Sequence, residues 1–336
     1  IKIECLVSRG SNLSETLPYD LEIERVIAEV KSRGVKSVII QAPDGLKPYV
    51  KDLWEALSSF GVTVYISTDP CYGACSLADD FGKMLGAELL IHIGHRRFIT
   101  TREEIPTLYV PAYYTGDVGE LVIRSAKFLT SKGIKRVGLV ASLQHIQSLR
   151  DFLEGLRSSG LEVVVDEVSG GVVLGCNVEA AKRIACSVNA ILHVGGGDFH
   201  ALGVALAVDK PVYIADPYRN EVREIESLKR KILARQWWLV NEAINAKTFG
   251  IVVVGKTGQF NRDLALYIKR ELESKGRRAV MLVADEVNWE RLSCFTFVDV
   301  FIITGCPRIS LDNQESFGKP VLNGEDAREL LKVMDK

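Results

Sequence analysis

The chain has 336 residues, of which 47% are hydrophobic and 25% charged, and this composition excludes a disordered, collagen-like or coiled-coil protein. At roughly 150 residues per domain, the length predicts two or three folded domains. The 42 basic and 43 acidic residues give a net charge of −1, so no global positive field favours nucleic acid or a membrane surface as a partner.

Short apolar runs alternate with amphipathic stretches along the chain. The runs at 37–41 (SVIIQ), 62–67 (VTVYIS) and 87–94 (AELLIHIG) predict strands, and the stretches between them predict helices. The same order recurs in the runs at 136–141, 161–167 and 190–196, and again in those at 249–255, 278–286 and 298–305. Copies of this length are too large for solenoid repeats and predict three similar small domains.

Near-continuous apolar strands joined by helices are typical of a parallel sheet covered on both faces. We therefore predict an α/β fold of three small domains, each a parallel β-sheet flanked by helices. The predicted domains are residues 1–100, 101–215 and 216–336. Residues 101–110 (TREEIPTLYV) and the helical, Trp-containing residues 219–246 are the predicted linkers.

The sequence shows neither a membrane span nor a secretion signal. No apolar run reaches the roughly 18 residues that cross a bilayer, and the start IKIECLVSRGSN lacks a basic region followed by an apolar one. We expect a cytoplasmic protein. In a reducing compartment its seven cysteines are buried side chains, metal ligands or reactive thiols rather than a disulfide framework.

Three cysteines directly follow predicted strands, one in each copy. Cys75 and Cys176 follow second strands, and Cys306 follows the last strand of the third copy. Because ligands bind at the carboxyl ends of parallel strands, these thiols are candidates for one site between domains. Three thiolates suit an iron–sulfur cluster that leaves one iron open to substrate. With Cys71, which lies close to Cys75 in CYGAC, they can equally make a zinc site.

The remaining cysteines and the histidines divide by position. Cys5, Cys186 and Cys294 lie in apolar helical patterns or at the terminus, and we interpret them as buried packing residues. His92 and His193 lie inside strands and are predicted core residues. The histidines at strand ends are candidates for a binding site, and they are His95, His145 and His200.

Three other strand-end features are candidate ligand contacts. Gly255 and Gly258 in GKTGQ are expected to allow positive φ and exposed amides; the valines before them indicate a buried strand and exclude a phosphate-binding P-loop. Residues 195–197 (GGG) either admit a nucleoside or carboxylate to the backbone or form a tight turn. Arg308 is either a carboxylate ligand or an ordinary surface arginine.

Eight motifs, in order along the chain, resemble one family: the archaeal 3-amino-3-carboxypropyltransferases of diphthamide synthesis. The resemblance runs from residue 19 to residue 330. Its motifs are DPCYGAC (69–75), IHIGH (91–95), QH (144–145), VLGCN (173–177), GGGDFH (195–200), DPY (216–218), GKTGQ (255–259) and GCPRISLD (305–312).

The resemblance implies three similar domains in a pseudo-threefold arrangement around a central [4Fe–4S] cluster, with Cys75, Cys176 and Cys306 as its ligands. It implies S-adenosylmethionine as co-substrate, with its methionine end on the open iron. Reductive cleavage of the sulfur–Cγ bond then gives methylthioadenosine and a 3-amino-3-carboxypropyl radical, which adds to a histidine of translation elongation factor 2. The residues expected to contact the co-substrate are Tyr72, His95, Gln144, His145, Gly196, Gly197, Gly255, Gly258 and Arg308.

The implied partners are elongation factor 2, a second copy of the chain in a homodimer, and an electron donor, with no direct contact to nucleic acid or membrane. Two alternatives also fit a three-cysteine cluster. One is a quinolinate-synthase-like [4Fe–4S] dehydratase, which needs no S-adenosylmethionine. The other is a cluster-carrying accessory subunit without chemistry of its own. Among the cysteines, we expect loss of Cys75, Cys176 or Cys306, and not of Cys71, to remove the cluster.

Overall fold

The chain forms three parallel sheets with one common strand order. The computed structural model describes residues 18–97, 102–312 and 314–335. In every sheet the second, first, third and fourth strands of the repeat lie side by side in that order. The chain therefore runs to one side of the first strand and then returns to the other side to form the third strand. In open α/β sheets, ligands bind at the carboxyl ends of the strands at this point.

The first repeat holds the sheet β3-β2-β4-β5. A separate antiparallel pair, Tyr19–Asp20 with Tyr113–Tyr114, joins the two ends of this repeat. The elements are β1 (Tyr19–Asp20), α1 (Ile23–Ser32), β2 (Ser37–Gln41), α2 (Val50–Ser59), β3 (Thr63–Ile66), α3 (Asp79–Met84), β4 (Leu89–Ile93), β5 (Thr107–Val110) and β6 (Tyr113–Tyr114), with a 3₁₀ helix at Asp44–Tyr49.

The second repeat holds the sheet β8-β7-β9-β10, to which β11 adds an antiparallel edge. Its elements are α4 (Gly119–Ser131), β7 (Arg136–Ala141), α5 (Leu149–Ser158), β8 (Glu162–Val164), α6 (Glu179–Ala185), β9 (Ala190–Val194), α7 (Phe199–Ala207), β10 (Val212–Asp216) and β11 (Glu221–Glu224), with a 3₁₀ turn at Leu143–His145.

The third repeat holds the sheet β13-β12-β14-β15. Its last helix begins with a capping box, in which Asn323 and Asp326 bond each other's backbone amides. The elements are α8 (Glu226–Ala243), β12 (Thr248–Val254), α9 (Arg262–Ser274), β13 (Arg278–Ala284), α10 (Trp289–Leu292), β14 (Val300–Ile303), α11 (Arg308–Asp312), β15 (Val321–Asn323) and α12 (Gly324–Met334), with a 3₁₀ turn at Gln314–Ser316.

Helices cover both faces of each sheet, so the central strands are mostly apolar. In β7, for example, Leu139 packs into the core on one face and Val140 into the core on the other. This double burial explains why these strands read as continuous apolar runs rather than alternating ones. Among the described residues, no helix is both long and apolar enough to cross a membrane.

The nine predicted strands are confirmed, but the fourth strand of each sheet was not predicted. Each begins after a proline whose carbonyl accepts a hydrogen bond from the third strand: Pro106 from Leu90, Pro211 from Ile191 and Pro320 from Phe301. Proline is tolerated at the start of a strand because it has no N–H to pair. A proline followed by a short, mostly apolar run is the recurring sequence signal for these strands.

These fourth strands bear on two details of the predicted organisation. Residues 107–110, predicted as part of a linker, form β5 of the first sheet. The boundaries predicted at residues 100 and 215 each cut a sheet, because β5 and the end of β10 belong to the preceding repeat. We propose instead that the domains divide near residues 116 and 225.

Candidate functional site

The three candidate cysteines lie in loops at the carboxyl ends of strands in three different sheets. Cys75 lies between β3 and α3, Cys176 between β8 and α6, and Cys306 between β14 and α11. The pKa of Cys176 is raised and that of Cys306 is raised to about 11, mainly by desolvation and in part by Coulombic interaction with Cys75. Thiols that interact electrostatically in this way lie near one another.

Gln259 joins two of these cysteines. Its Nε2 donates to Sγ of Cys75 at 3.4 Å, and its Oε1 accepts the amide N–H of Cys306 at 3.4 Å. The neighbouring Gly258 donates its amide N–H to the carbonyl of Cys75 at 3.0 Å. The loop after β12 therefore fixes a cysteine of the first repeat beside one of the third.

Lys256 reinforces the same contact between repeats. Its Nζ lies 3.0 Å from Oγ of Ser76 and forms an ion pair with Glu286. The ammonium also lies 5.7 Å from the ring centroid of Tyr72, whose side chain is exposed. Tyr72 thus stands at the open rim of the cysteine loop, where it is available to a ligand.

The loop that carries Cys176 packs too tightly against α7 to admit larger residues. A Cβ on Gly203 would lie 2.6 Å from the carbonyl oxygen of Gly175, and a Cβ on Gly175 would lie 2.1 Å from the ring of Phe199. The guanidinium carbon of Arg308 in turn lies 4.1 Å from the centroid of that ring, a cation–π contact. Phe199 thereby links the third repeat to the Cys176 loop.

Replacing Gly203 with alanine is expected to destabilise the protein by about 1–3 kcal/mol, because the new Cβ must displace a backbone oxygen of the Cys176 loop. Urea unfolding measures the change. The matched control is Gly45→Ala, because a Cβ at Gly45 meets no atom within 4 Å, and its expected effect is within about 0.5 kcal/mol. Equal effects of the two substitutions would contradict the packing argument.

Arg308 is buried, which excludes an ordinary surface arginine. Its Nε and Nη2 bind the carboxylate of Asp312 at 3.0 and 2.8 Å. Its Nη1 is buried without a hydrogen-bond partner among the described residues. An unpaired guanidinium N–H beside Cys176 is suited to bind an anionic group such as a carboxylate.

Of the predicted strand-end histidines, His145 is buried and His95 and His200 are partly buried. Burial lowers the pKa of His95, His145 and His200 to about 4, so all three are neutral at pH 7. Nε2 of His145 lies 3.0 Å from the hydroxyl of Tyr218, which lies 2.8 Å from that of Tyr19. His92 and His193 are fully buried, as expected for residues inside strands.

Gln144 and the glycines after β9 lie on the same contact. Nε2 of Gln144 donates to the carbonyl of Gly94 at 2.5 Å, which joins the second repeat to the first. Gly197 has φ of 68°, a value that favours glycine. Gly196 lies against Tyr218, whose ring would be 2.5 Å from a Cβ. Residues 195–197 therefore form a tight turn, which is one of the two alternatives that the sequence left open.

The prediction that Gly255 and Gly258 have positive φ and exposed amides is wrong. Neither residue has a positive φ, and both amides donate to protein carbonyls, at Ala284 and Cys75. These N–H groups are used to bind the loop to neighbouring segments and are not free for a phosphate. Contact of this loop with the co-substrate stays a prediction.

The burial of the remaining cysteines agrees only in part with the prediction. Cys186 and Cys294 are exposed, so their interpretation as buried residues is wrong; both follow the last turn of a short helix, where the chain returns to solvent. Cys71 is buried, and desolvation raises its pKa to about 12. Cys5 lies outside the described residues.

Known proteins supply an independent comparison. The family model "Putative diphthamide synthesis protein" matches residues 42–335. The chain belongs to this diphthamide synthesis family. The 2-(3-amino-3-carboxypropyl)histidine synthase of Pyrococcus horikoshii is 32% identical over 323 residues, which are 95% of this chain and 92% of that protein. The synthase of Methanocaldococcus jannaschii is 30% identical over 94% of this chain and 91% of that protein.

A solved structure agrees with the fold. The crystal structure of Dph2 from Pyrococcus horikoshii with a 4Fe-4S cluster matches with a TM-score of 0.84 and 32% identity, over 94% of this chain and 91% of that one. Human 2-(3-amino-3-carboxypropyl)histidine synthase subunit 1 is 29% identical over 92% of this chain and 71% of that protein. The family resemblance found in the sequence is therefore confirmed.

The residues of this diphthamide-family site fit a [4Fe–4S] cluster. Thiolates are the usual ligands of such clusters, and hydrogen bonds to their sulfurs tune the reduction potential. The cleft offers the thiols of Cys75, Cys176 and Cys306, with the N–H of Gln259 directed at the first of them. Three protein ligands on four irons leave one iron for substrate.

Gln259, Lys256 and Phe199 are the site residues that sequence reasoning missed. Their roles depend on contacts between repeats, which spacing along one repeat does not reveal. The available signal was weak: Lys256 and Gln259 follow the end of β12, and Phe199 follows β9, at positions where parallel sheets place functional groups.

Replacing Gln259 with leucine is expected to lower the midpoint potential of the bound cluster by about 40 mV. The N–H bond to Cys75 Sγ stabilises the more negative reduced state, and about 1 kcal/mol of lost stabilisation corresponds to that shift for one electron. Spectroelectrochemistry with electron paramagnetic resonance measures it. Thr257→Ala in the same loop is the control, and an unchanged potential in Gln259→Leu would contradict the assignment.

Proposed function

We propose that this chain catalyses the first step of diphthamide synthesis. It transfers the 3-amino-3-carboxypropyl group from S-adenosylmethionine to a histidine of translation elongation factor 2. The observation that supports the proposal is a cysteine at a strand end in each of three sheets, two of them joined through Gln259, in a chain of this family. When bound by Cys75, Cys176 and Cys306, a reduced [4Fe–4S] cluster supplies the electron that breaks the sulfur–Cγ bond.

Orientation of the co-substrate is the main task of the protein. The bond that breaks is set by which carbon on sulfur faces the cluster, and positioning of this kind is worth several kcal/mol. We assign Nη1 of Arg308 to the methionine carboxylate, because it is a cationic donor near Cys176 that has no partner within the described part of the chain. Its other nitrogens are held by Asp312, so the guanidinium has a fixed direction.

The charge of the surrounding loops supports binding of a cationic sulfonium. His95, His145 and His200 are neutral at pH 7 because burial disfavours their charged forms, so they add no repulsion to the positive sulfur. Asp198 in the GGGDFH loop is paired with Arg223, so its carboxylate does not compete with that of the substrate for Arg308. Tyr72, Gln144, Gly196, Gly197, Gly255 and Gly258 complete the proposed contacts.

The partners follow from the chemistry. Cleavage consumes an electron, so an electron donor must reduce the cluster. The acceptor is a protein histidine, which requires the cleft to open toward elongation factor 2, a cytoplasmic protein. We also propose that the chain works as a homodimer in the cytoplasm.

An anaerobic assay of the reconstituted chain with dithionite, S-adenosylmethionine and elongation factor 2 tests this function. Methylthioadenosine and a modified histidine are the expected products. Release of 5′-deoxyadenosine, or formation of a small-molecule product without elongation factor 2, would contradict the proposal, and the latter result would favour a dehydratase. Transfer by this chain without a second subunit type excludes an accessory role, whereas dependence on one supports it.

A further inference from the structure

A second group of metal-binding side chains lies within the first repeat. Cys71 follows β3, His92 lies in β4 and His95 directly follows β4. One ligand atom from each lies within 4.8 Å of the other two. Nε2 of His92 lies 3.1 Å from Nδ1 of His95. Cys71 and His92 are buried, and His95 is partly buried.

Gln41, on the strand between these segments, holds His92 in the state that a metal requires. The Gln41 amide is oriented by two bonds: its Nε2 donates to the carbonyl of Ser76 at 2.9 Å, and its Oε1 accepts the amide N–H of Ala78 at 3.0 Å. Nδ1 of His92 lies 2.9 Å from the same Oε1, so Nδ1 carries the hydrogen. Nε2 of His92 then presents a lone pair toward His95 and Cys71.

In known metal sites a ligating histidine commonly donates its other ring N–H to an oxygen acceptor, and Oε1 of Gln41 is that acceptor for His92. Gly94, between the two histidines, has φ of 90°, a turn that lets both rings reach the same point. The register of the sheet, in which Gln41 pairs with His92, places this support beneath the ligands.

We propose that Cys71, His92 and His95 bind one divalent transition metal ion of the zinc type, separate from the three-cysteine cluster. One thiolate and two imidazoles are common zinc ligands, and three protein ligands leave a fourth position for water or substrate. Neighbouring ligand atoms in a tetrahedral zinc site are about 3.3–3.6 Å apart, so side-chain rotations close the gap from the present geometry. Ligation through Nδ1 leaves Nε2–H of His95 free to donate to the co-substrate.

Metal counting on the anaerobically purified full chain is the first test. We expect about one zinc per chain in addition to the cluster iron, and a loss of that zinc with unchanged iron in Cys71→Ala. The control is Cys294→Ala, which removes an exposed thiol and is expected to change neither metal. Loss of iron from Cys71→Ala would overturn the proposal, because it would make Cys71 a cluster ligand.

Cobalt substitution is the second test and does not depend on the transferase activity. In a cluster-free chain with Cys75, Cys176 and Cys306 all replaced by alanine, one equivalent of Co²⁺ is expected to give the near-ultraviolet thiolate-to-cobalt band and visible bands of a tetrahedral site. Adding Cys71→Ala should abolish the ultraviolet band, and adding His95→Gln should weaken Co²⁺ binding by at least tenfold. With folding verified by circular dichroism, absence of the band or its persistence without Cys71 would overturn the proposal.

Discussion

Replacing Cys75, Cys176 or Cys306 singly with alanine is expected to reduce bound iron from about four atoms per chain to less than about one. Each thiol comes from a different repeat, and Cys71, the other thiol near Cys75, is buried beside His92 and His95, so we expect no substitute ligand. Changes in outer-shell residues alone typically cost 10–100-fold in metal affinity or activity. Loss of a ligand is therefore expected to reduce methylthioadenosine formation by more than ~100-fold.

Iron counting, electron paramagnetic resonance of the reduced protein and the anaerobic assay measure these effects together. Cys186→Ala and Cys294→Ala are the matched controls, since both thiols are exposed at helix ends and are expected to leave iron and activity unchanged. A full complement of iron in any of the three ligand variants would contradict that assignment.

Lowering the pH below about 6.5 is expected to destabilise the protein steeply, because three histidines of the second repeat stay neutral in the fold. Desolvation lowers the pKa of His145 and His200 from 6.5 to about 4 and lowers that of His193 as well. Between pH 6.5 and about 4 the unfolded chain binds protons that the folded chain does not. As the pH falls, each neutral histidine then lowers the free energy of unfolding by at most about 1.4 kcal/mol per pH unit. This loss of stability is absent above about pH 7.

Urea unfolding of the cluster-free protein at about pH 7.5 and about pH 5 measures this dependence. His193→Leu isolates one contribution, because both ring nitrogens of His193 are buried without hydrogen-bond partners among the described residues. This substitution is expected to reduce the pH slope by about one proton and to raise stability at low pH. Asp151→Asn, exposed on α5, is the control, and an unchanged slope in His193→Leu would contradict the assignment.

The sequence predicts the buried centre of each sheet well because burial on both faces requires apolar residues without interruption. The runs SVIIQ and RVGLVA coincide with β2 and β7. The fourth strands were missed because they are short and directly follow prolines, which usually indicate a turn. Pairing with an already formed strand stabilises β5, and that tertiary contact leaves no periodic pattern in the sequence.

The site was predictable where it depends on position along a strand and not where it depends on contact between repeats. Cys75, Cys176 and Cys306 were identified from their places after strands. Gln259 was not, because its bonds join residues that are far apart in the sequence. The error at Gly255 and Gly258 has the same origin, since neighbouring segments determine where their amides donate.

Each apolar core of the described chain draws its residues essentially from one repeat and its adjoining helices, and the three ligand cysteines belong to none of them. In small zinc domains the metal supplies the free energy of folding, whereas here the sheets fold around side chains that never touch the cluster. Oxygen damage that destroys the cluster would consequently be expected to leave the three sheets folded. Repair then requires only the return of iron and sulfide to an intact scaffold, and the cell need not synthesise a new chain.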